Sequence, residues 1–266
     1  MKDKLLIVGG DSWSDPNEDY YIENGVDKVW ANYVAEFLNA DLVNISQGGA
    51  GNSFIHGQVI DAINENSDRD IIVMVNWSDT IRITPFDMRK VQLMFNAKKP
   101  AEDLHSRKFA WYRYKAQNYL RLAFNLAIER SFITEKEFWL NVANVSLREI
   151  YLLNEYCKLR NIPIIHHRAM PILGCIDQVL TQKENNDLSQ FAREICKKNI
   201  YYQKILEFTN VVGDSNMFAE GSSCFELYPK YYISEEEKHP NKDGHKIIGY
   251  SFINKYIELY ESRIDD

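Results

Sequence analysis

The stretch that decides the fold is LLIVGGDS, residues 5–12. Its first four residues are all apolar and two glycines follow, which is typical of a buried parallel strand that ends in a turn. Two more short apolar strands are predicted at residues 41–45 and 71–75, and helical patterns separate the three strands. This alternation predicts an α/β fold in which helices cover both faces of a parallel sheet.

The pattern changes after the third predicted strand. Residues 84–160 have helical character and no clear strand signal, and a fourth short strand is predicted at residues 162–165. The last element is an amphipathic helix, and neither a repeat nor a linker interrupts the chain. We therefore expect one domain over residues 1–266, with residues 84–160 as a helical insertion within it.

Composition and charge exclude several classes of protein. The 266 residues carry 31 basic and 38 acidic side chains, a formal net charge of −7, whereas proteins that bind nucleic-acid backbones present basic surfaces. No run reaches the roughly 18–20 apolar residues of a membrane helix, and the first apolar run is too short for a signal peptide. The four cysteines are scattered, without a CxxC motif, and are expected to be reduced. We expect a cytoplasmic protein with no cofactor and no nucleic-acid or membrane partner, and the sequence leaves a homo-oligomer open.

Polar residues and glycines follow three of the predicted strands. Ser12 follows the first, Asn44 ends the second and precedes Gly49 by five residues, and NWSD (residues 76–79) ends the third. Ligands of open α/β sheets bind beyond the carboxyl ends of the strands, so these residues are expected to meet there. A glycine-rich turn can offer backbone N–H groups to an oxyanion, although a plain turn is the simpler interpretation of the glycines alone.

A histidine near the C-terminus adds a base to this set. It is His239, within EEEKHPN (residues 235–241). A carboxylate three residues earlier, Glu236, can orient the imidazole, which can then act as general base for a serine. Glu235 and Glu237 are alternative partners, and the whole run can also be a solvated acidic surface.

Together these residues resemble the SGNH (GDSL-type) hydrolase family. The matching blocks are GDS at residues 10–12, the Asn44–Gly49 pair, residues 76–79 in place of GxND, and EEKHP at residues 236–240 in place of DxxHP. The resemblance extends from residue 5 to about residue 260, apart from the helical middle. It implies a flavodoxin-like three-layer α/β/α sandwich with a mostly parallel sheet and a helical insertion after the third strand. The glycine loop and the Trp-Ser…Arg pattern resemble a branch found in phage genomes.

The resemblance implies a serine ester hydrolase that removes acetyl or other small acyl groups from a carbohydrate or small molecule. Ser12 would be the nucleophile, His239 the base, and Glu236, where the family has Asp, the residue that orients the base. Backbone N–H groups of Ser12 and Gly49 would hold the oxyanion.

One departure from the family pattern leaves two functions open. Ser78 stands where the family has an oxyanion-binding Asn, so either Ser78 or Asn52 is expected to take its place. The shorter side chain motivates the alternative of a catalytically weak or inactive SGNH-fold binding or assembly protein. A nucleotide-binding protein is disfavoured because the glycine loop follows the second strand and no GxxxxGK[ST] is present.

Other residues near strand ends are candidates for substrate contact. Aromatic side chains can stack on a sugar and arginines can hold an anion, although burial and structural ion pairs are equally simple interpretations; the candidates are Trp13, Trp77, Arg82 and Arg168. His166 and His167 are adjacent, but no Cys, Asp or Glu lies nearby at ligand spacing, so no metal site is expected.

Overall fold

The computed structural model describes residues 3–78, 135–168, 194, 197–213, 229–233 and 239–261. Its strands are β1 (Lys4–Gly10), β2 (Asp41–Asn44), β3 (Asp70–Trp77) and β4 (Ile164–Arg168). Its α-helices are α1 (Asp19–Glu23), α2 (Trp30–Leu38), α3 (Asn52–Glu65), α4 (Glu135–Leu159), α5 (Ile200–Ile205) and α6 (Lys242–Tyr256). A 3-10 turn at Pro229–Tyr231 precedes α6, and a π-helical turn at Ile257–Glu261 follows it.

The described strands form one parallel sheet in the order β2-β1-β3-β4. Val211 forms an isolated parallel bridge with His166 and so lies next to β4, on the side away from β3. In this bridge His166 N donates to Asn210 O at 2.9 Å and Val212 N donates to His166 O at 2.8 Å. With that fifth position the order becomes the 2-1-3-4-5 of flavodoxin-like sheets, which confirms the predicted α/β fold class.

Alternating side chains of the strands fill two separate cores. Leu5 and Ile7 of β1 pack in one core with buried residues of α3 and α4, whereas Leu6 and Val8 pack in the other with residues of α2 and α6. Successive side chains of a strand point to opposite faces, so a fully apolar strand requires a cover on both sides. The result is the expected three-layer α/β/α arrangement.

Close packing places α3 directly against the end of β1. A Cβ atom added to Gly9 would lie 2.6 Å from Val59 Cγ2, so only glycine fits at this point of the strand.

The register of β1 and β3 brings their ends together. Gly10, the last residue of β1, pairs with Asn76 of β3. Residues 12 and 78 therefore both lie two positions beyond the paired ends of neighbouring strands.

The fourth strand differs from its prediction. It runs over Ile164–Arg168, whereas the prediction covers residues 162–165 with His166 and His167 at its end, so the strand begins later and both histidines lie within it. The strand extends through them because both imidazoles find hydrogen-bond partners in the interior, as described below.

Part of the predicted insertion lies in the sandwich itself. Residues 135–159 form α4, whose buried face (Ala143, Leu147, Ile150, Leu153 and Cys157) packs in the same core as α3. Residues 84–134 lie outside the described residues. Among the helices described, none combines the length and the apolar character needed to cross a membrane.

Candidate active site

A turn anchored to two strands presents Ser12 at the carboxyl edge of the sheet. The buried Asp11 accepts hydrogen bonds from Trp13 N at its Oδ1 (3.1 Å) and from Ser14 N at its carbonyl (2.9 Å). Asn44 Nδ2, at the end of β2, donates to Ser14 O at 2.7 Å. The Asn of the predicted second motif therefore anchors the serine turn through its side chain.

The structure brings Ser12 and His239 together although 227 residues separate them in the chain. His239 Nε2 lies 2.9 Å from Ser12 Oγ. This is ordinary hydrogen-bond distance, within which a histidine can take the proton of a hydroxyl group.

Backbone hydrogen bonds fix the position of His239. The His239 carbonyl accepts from Ile233 N at 2.9 Å, and Pro240 forms an antiparallel bridge with Tyr232. The next residue, Asn241, caps α6 by accepting hydrogen bonds from two N–H groups of its first turn. The backbone of His239 and Pro240 thus fixes the position of the imidazole, and Asn241, the next residue, starts α6.

Three carboxylates are predicted from the sequence to orient His239. Glu235, Glu236 and Glu237 all lie outside the described residues. The third member of the triad stays a prediction from sequence.

The residues predicted to bind an oxyanion lie in two places. Gly49, in the loop after β2, has a φ of +79°, a left-handed conformation that favours glycine. Asn52 Oδ1 accepts from Ser78 N at 3.0 Å, while its Nδ2 donates to Ser78 O at 3.3 Å and to Ser146 Oγ at 2.6 Å. Because both amide hydrogens of Asn52 are donated within the protein, this side chain holds the backbone of Ser78 in place.

Ser146 is a residue that sequence reasoning missed. It is buried on α4, and no motif marks a lone serine in a helix as the partner of an asparagine 94 residues away. With Asn52 it links α3 and α4 to the end of β3.

We expect Asn52→Ala to lower the free energy of unfolding by about 1–3 kcal/mol, because it leaves the buried polar groups of Ser78 without their side-chain partner. Urea unfolding measures this change. Ser53→Ala is the matched control, since Ser53 is the next residue of α3 and is exposed. Equal stability of the two variants would contradict the bridging role of Asn52.

His166 is part of a buried hydrogen-bonded chain that links β3, β4 and α4. Its Nδ1 accepts from Trp77 Nε1 at 2.9 Å, so its Nε2 carries the hydrogen and donates to Asn154 Oδ1 at 3.2 Å. Burial in the core lowers the pKa of His166 to about 3, so the ring is neutral at pH 7.

His167 connects β4 to the serine turn. Its Nδ1 lies 2.7 Å from Asn76 Oδ1, and Asn76 Nδ2 donates to Ser14 Oγ at 3.2 Å. Burial, with a smaller effect of the neighbouring Arg168 charge, lowers the pKa of His167 to about 3. Within the described ranges no group of three or more His, Cys, Asp or Glu side chains is arranged to hold a metal ion.

The structure buries three of the four candidates for substrate contact. Trp13, Trp77 and Arg168 are 3%, 0% and 1% exposed. Trp77 stacks on His166 with ring centroids 6.0 Å apart, and Trp13 packs edge-on against Tyr232. For the two tryptophans the structure therefore shows burial, one of the two interpretations that the sequence left open. Arg82 lies outside the described residues.

We expect the protein to become less stable in acid because three of its histidines are buried. Burial holds the pKa of His166, His167 and His245 at about 3, below the ordinary 6.5, so folding favours their neutral forms. Their contribution is complete above pH 6.5 and is lost as the pH falls toward 3, because the unfolded chain binds the protons that the folded chain excludes. We expect the free energy of unfolding, from urea titrations at pH 7 and pH 5, to fall by up to about 1.4 kcal/mol per pH unit for each histidine. Equal values at the two pH values would contradict this.

Comparison with known proteins finds similar chains among solved structures only. No family model and no curated protein matches the sequence. A lipolytic protein of the G-D-S-L family from Desulfitobacterium hafniense DCB-2 is 14% identical, with 94% of this chain and 98% of that chain covered and a TM-score of 0.41. The psychrotrophic esterase EstA from Pseudoalteromonas sp. is 10% identical, with 97% and 100% covered and a TM-score of 0.44. The acetylxylan esterase Axe2 from Geobacillus stearothermophilus, in a catalytic mutant, is 14% identical, with 95% and 93% covered and a TM-score of 0.40.

Proposed function

We propose that this protein is a serine ester hydrolase of the SGNH type in which Ser12 is the nucleophile and His239 the general base. The observation that carries the proposal is the 2.9 Å contact between Ser12 Oγ and His239 Nε2. A nucleophile and a base within hydrogen-bond reach, at the carboxyl edge of a parallel sheet, are the arrangement that acyl transfer by a serine requires.

The proposed reaction has two steps. Oγ of Ser12 forms a bond to the ester carbonyl carbon while His239 Nε2 takes its proton, and the bond to the alcohol then breaks as His239 returns that proton to the leaving oxygen. A water molecule, deprotonated by His239, next attacks the acyl group on Ser12. Release of the carboxylic acid restores the serine hydroxyl and the neutral histidine.

A carboxylate beside His239 is part of the proposal. When Nε2 accepts the Ser12 proton, the second hydrogen of the ring lies on Nδ1, and an acceptor there favours the imidazolium that forms. We assign this acceptor to Glu236 and keep Glu235 and Glu237 as alternatives.

The proposed oxyanion site combines the backbone N–H groups of Ser12 and Gly49 with the Ser78 hydroxyl group. Strand register supports the place of Ser78, because residues 12 and 78 stand two positions beyond the paired residues Gly10 and Asn76. Asn52 supports this site indirectly by holding Ser78, since its amide hydrogens are already donated. Loss of one oxyanion donor lowers kcat by about 10²–10³-fold, so a poorly placed Ser78 would leave a weak enzyme or an inactive binding protein.

We further propose that the substrate is a small acyl ester, an acetyl ester above all, of a carbohydrate or another small molecule. The burial of the nucleophile supports a small acyl group, because Ser12 is only 5% exposed and so leaves little room beside its hydroxyl group. The test compares wild-type turnover of p-nitrophenyl acetate and p-nitrophenyl octanoate, with Ser12→Ala as the blank. We expect faster turnover of the acetate. Preference for the octanoate would contradict the substrate class, and turnover of both esters by Ser12→Ala would contradict the mechanism.

A further inference from the structure

We propose that Tyr20 and Tyr21 form a tyrosine clamp in which Tyr21 fixes the backbone of Ser12 and Tyr20 holds and stabilises the imidazolium of His239. This inference rests on the proposed function, since it assigns positioning residues to the same pair of reacting groups. Both tyrosines belong to α1, the short helix that follows the serine turn.

Tyr21 holds the serine side of the pair. Its side chain is fully buried, and its hydroxyl group donates to Ser12 O at 3.0 Å. Its ring meets His239 and His245 edge-on, with centroids 6.1 Å and 4.7 Å away. Tyr21 therefore contacts the carbonyl group of Ser12, the imidazole of the base His239 and the imidazole of His245.

Tyr20 covers one face of the base. Its ring stacks on the His239 imidazole with centroids 4.7 Å apart and an angle of 26° between the planes. The stacked ring limits rotation of the imidazole and keeps Nε2 directed at Ser12. The negative face of an aromatic ring also attracts a cation within about 6 Å of its centroid, so Tyr20 favours the imidazolium over the neutral imidazole.

Helix geometry explains how two consecutive residues reach two different targets. Successive side chains of an α-helix are rotated by about 100°, so one turn can direct Tyr21 into the interior and Tyr20 over the loop of His239. The turn is fixed by backbone bonds, in which Tyr21 N donates to Glu18 O at 3.0 Å and Val26 N donates to Tyr21 O at 2.8 Å.

Removal of the Tyr20 ring tests the stacking half of the clamp. Tyr20→Leu is expected to lower both kcat and the proton affinity of His239 by about 2- to 5-fold, which for the proton affinity is a fall of about 0.3–0.7 in the pKa measured by NMR titration. KM is expected to stay unchanged, and Tyr20→Phe, which keeps the ring, should restore both values. Tyr20→Gln serves as the ring-free variant if the leucine variant does not fold.

Two further variants separate the clamp from a general effect on folding. Tyr250→Leu changes a tyrosine that is 57% exposed on α6 and should leave kcat and the His239 titration at their wild-type values. Tyr21→Phe removes only the hydroxyl bond to Ser12 and should lower kcat by about 2- to 10-fold without changing the pKa of His239. Among the described residues, Tyr21 and His245 are titratable groups that also lie near His239, and every Tyr20 variant retains them together with the carboxylate proposed at Nδ1, Glu236.

The result that would overturn the clamp is a Tyr20→Leu protein whose His239 titrates at the wild-type pH or higher. The NMR titration needs no turnover, so it judges the stacking separately from the proposed function. A wild-type protein without Ser12-dependent hydrolysis would refute the function, while a fall in the His239 pKa of Tyr20→Leu would still support the contact of Tyr20 with the imidazolium.

Discussion

Ser12→Ala is expected to lower kcat/KM for p-nitrophenyl acetate by about 10³-fold or more, because no other atom replaces the Oγ that forms the acyl-enzyme. The substitution removes one oxygen from a turn that is held by Asp11 and Asn44, so the fold should survive. Initial rates at several substrate concentrations, with circular dichroism of both proteins, measure the effect.

Ser53→Ala is the control for this first prediction. Ser53 is exposed at the start of α3 and should keep wild-type turnover when replaced. If Ser12→Ala were as active as Ser53→Ala, Ser12 would not be the nucleophile.

His239→Gln is expected to cause a loss of similar size. Glutamine can still form a hydrogen bond near Ser12 but cannot take its proton, so kcat should fall by about 10³-fold or more. The backbone at residue 239 should keep its place, since it is held through its own carbonyl and through the neighbouring cap residue Asn241. The measurement is kcat from pH 5 to pH 9.

The pH profile and a second histidine complete this test. Wild-type kcat/KM should rise with pH and reach a plateau as His239 loses its proton, and His239→Gln should lack this limb. His56→Gln is the control, because His56 lies on α3 beside Glu149, at 2.9 Å, and has no proposed role in the reaction. A His239→Gln protein with the wild-type rate and pH profile would remove the base from the mechanism.

The parts of the fold that follow from local pattern were predictable. The apolar runs that form β1 and β3 must be covered on both faces, and that requirement alone leads to a layered α/β sandwich. Ser12 and His239 were also within reach of sequence reasoning, because one follows a strand and the other precedes a helix cap in a carboxylate-rich loop.

Features that depend on distant partners were not predictable. His166 and His167 are polar residues at the end of a predicted strand, yet the chain buries them because Trp77 and Asn76 of β3 supply hydrogen bonds. The Asn52–Ser146 bond joins two helices that have no common motif. Tyr20 and Tyr21 gave no signal beyond two aromatic residues in a polar segment.

The most direct measurement of the central claim is the site at which a fluorophosphonate probe modifies the protein. The probe reacts with a serine whose hydroxyl group is activated by a neighbouring base, so intact-mass analysis and peptide mapping should find one adduct per chain, on Ser12. His239→Gln should abolish or strongly slow this reaction, while Ser53→Ala should label as the wild type does. An unmodified wild-type protein, or an adduct on another serine, would contradict the assignment of Ser12 as nucleophile.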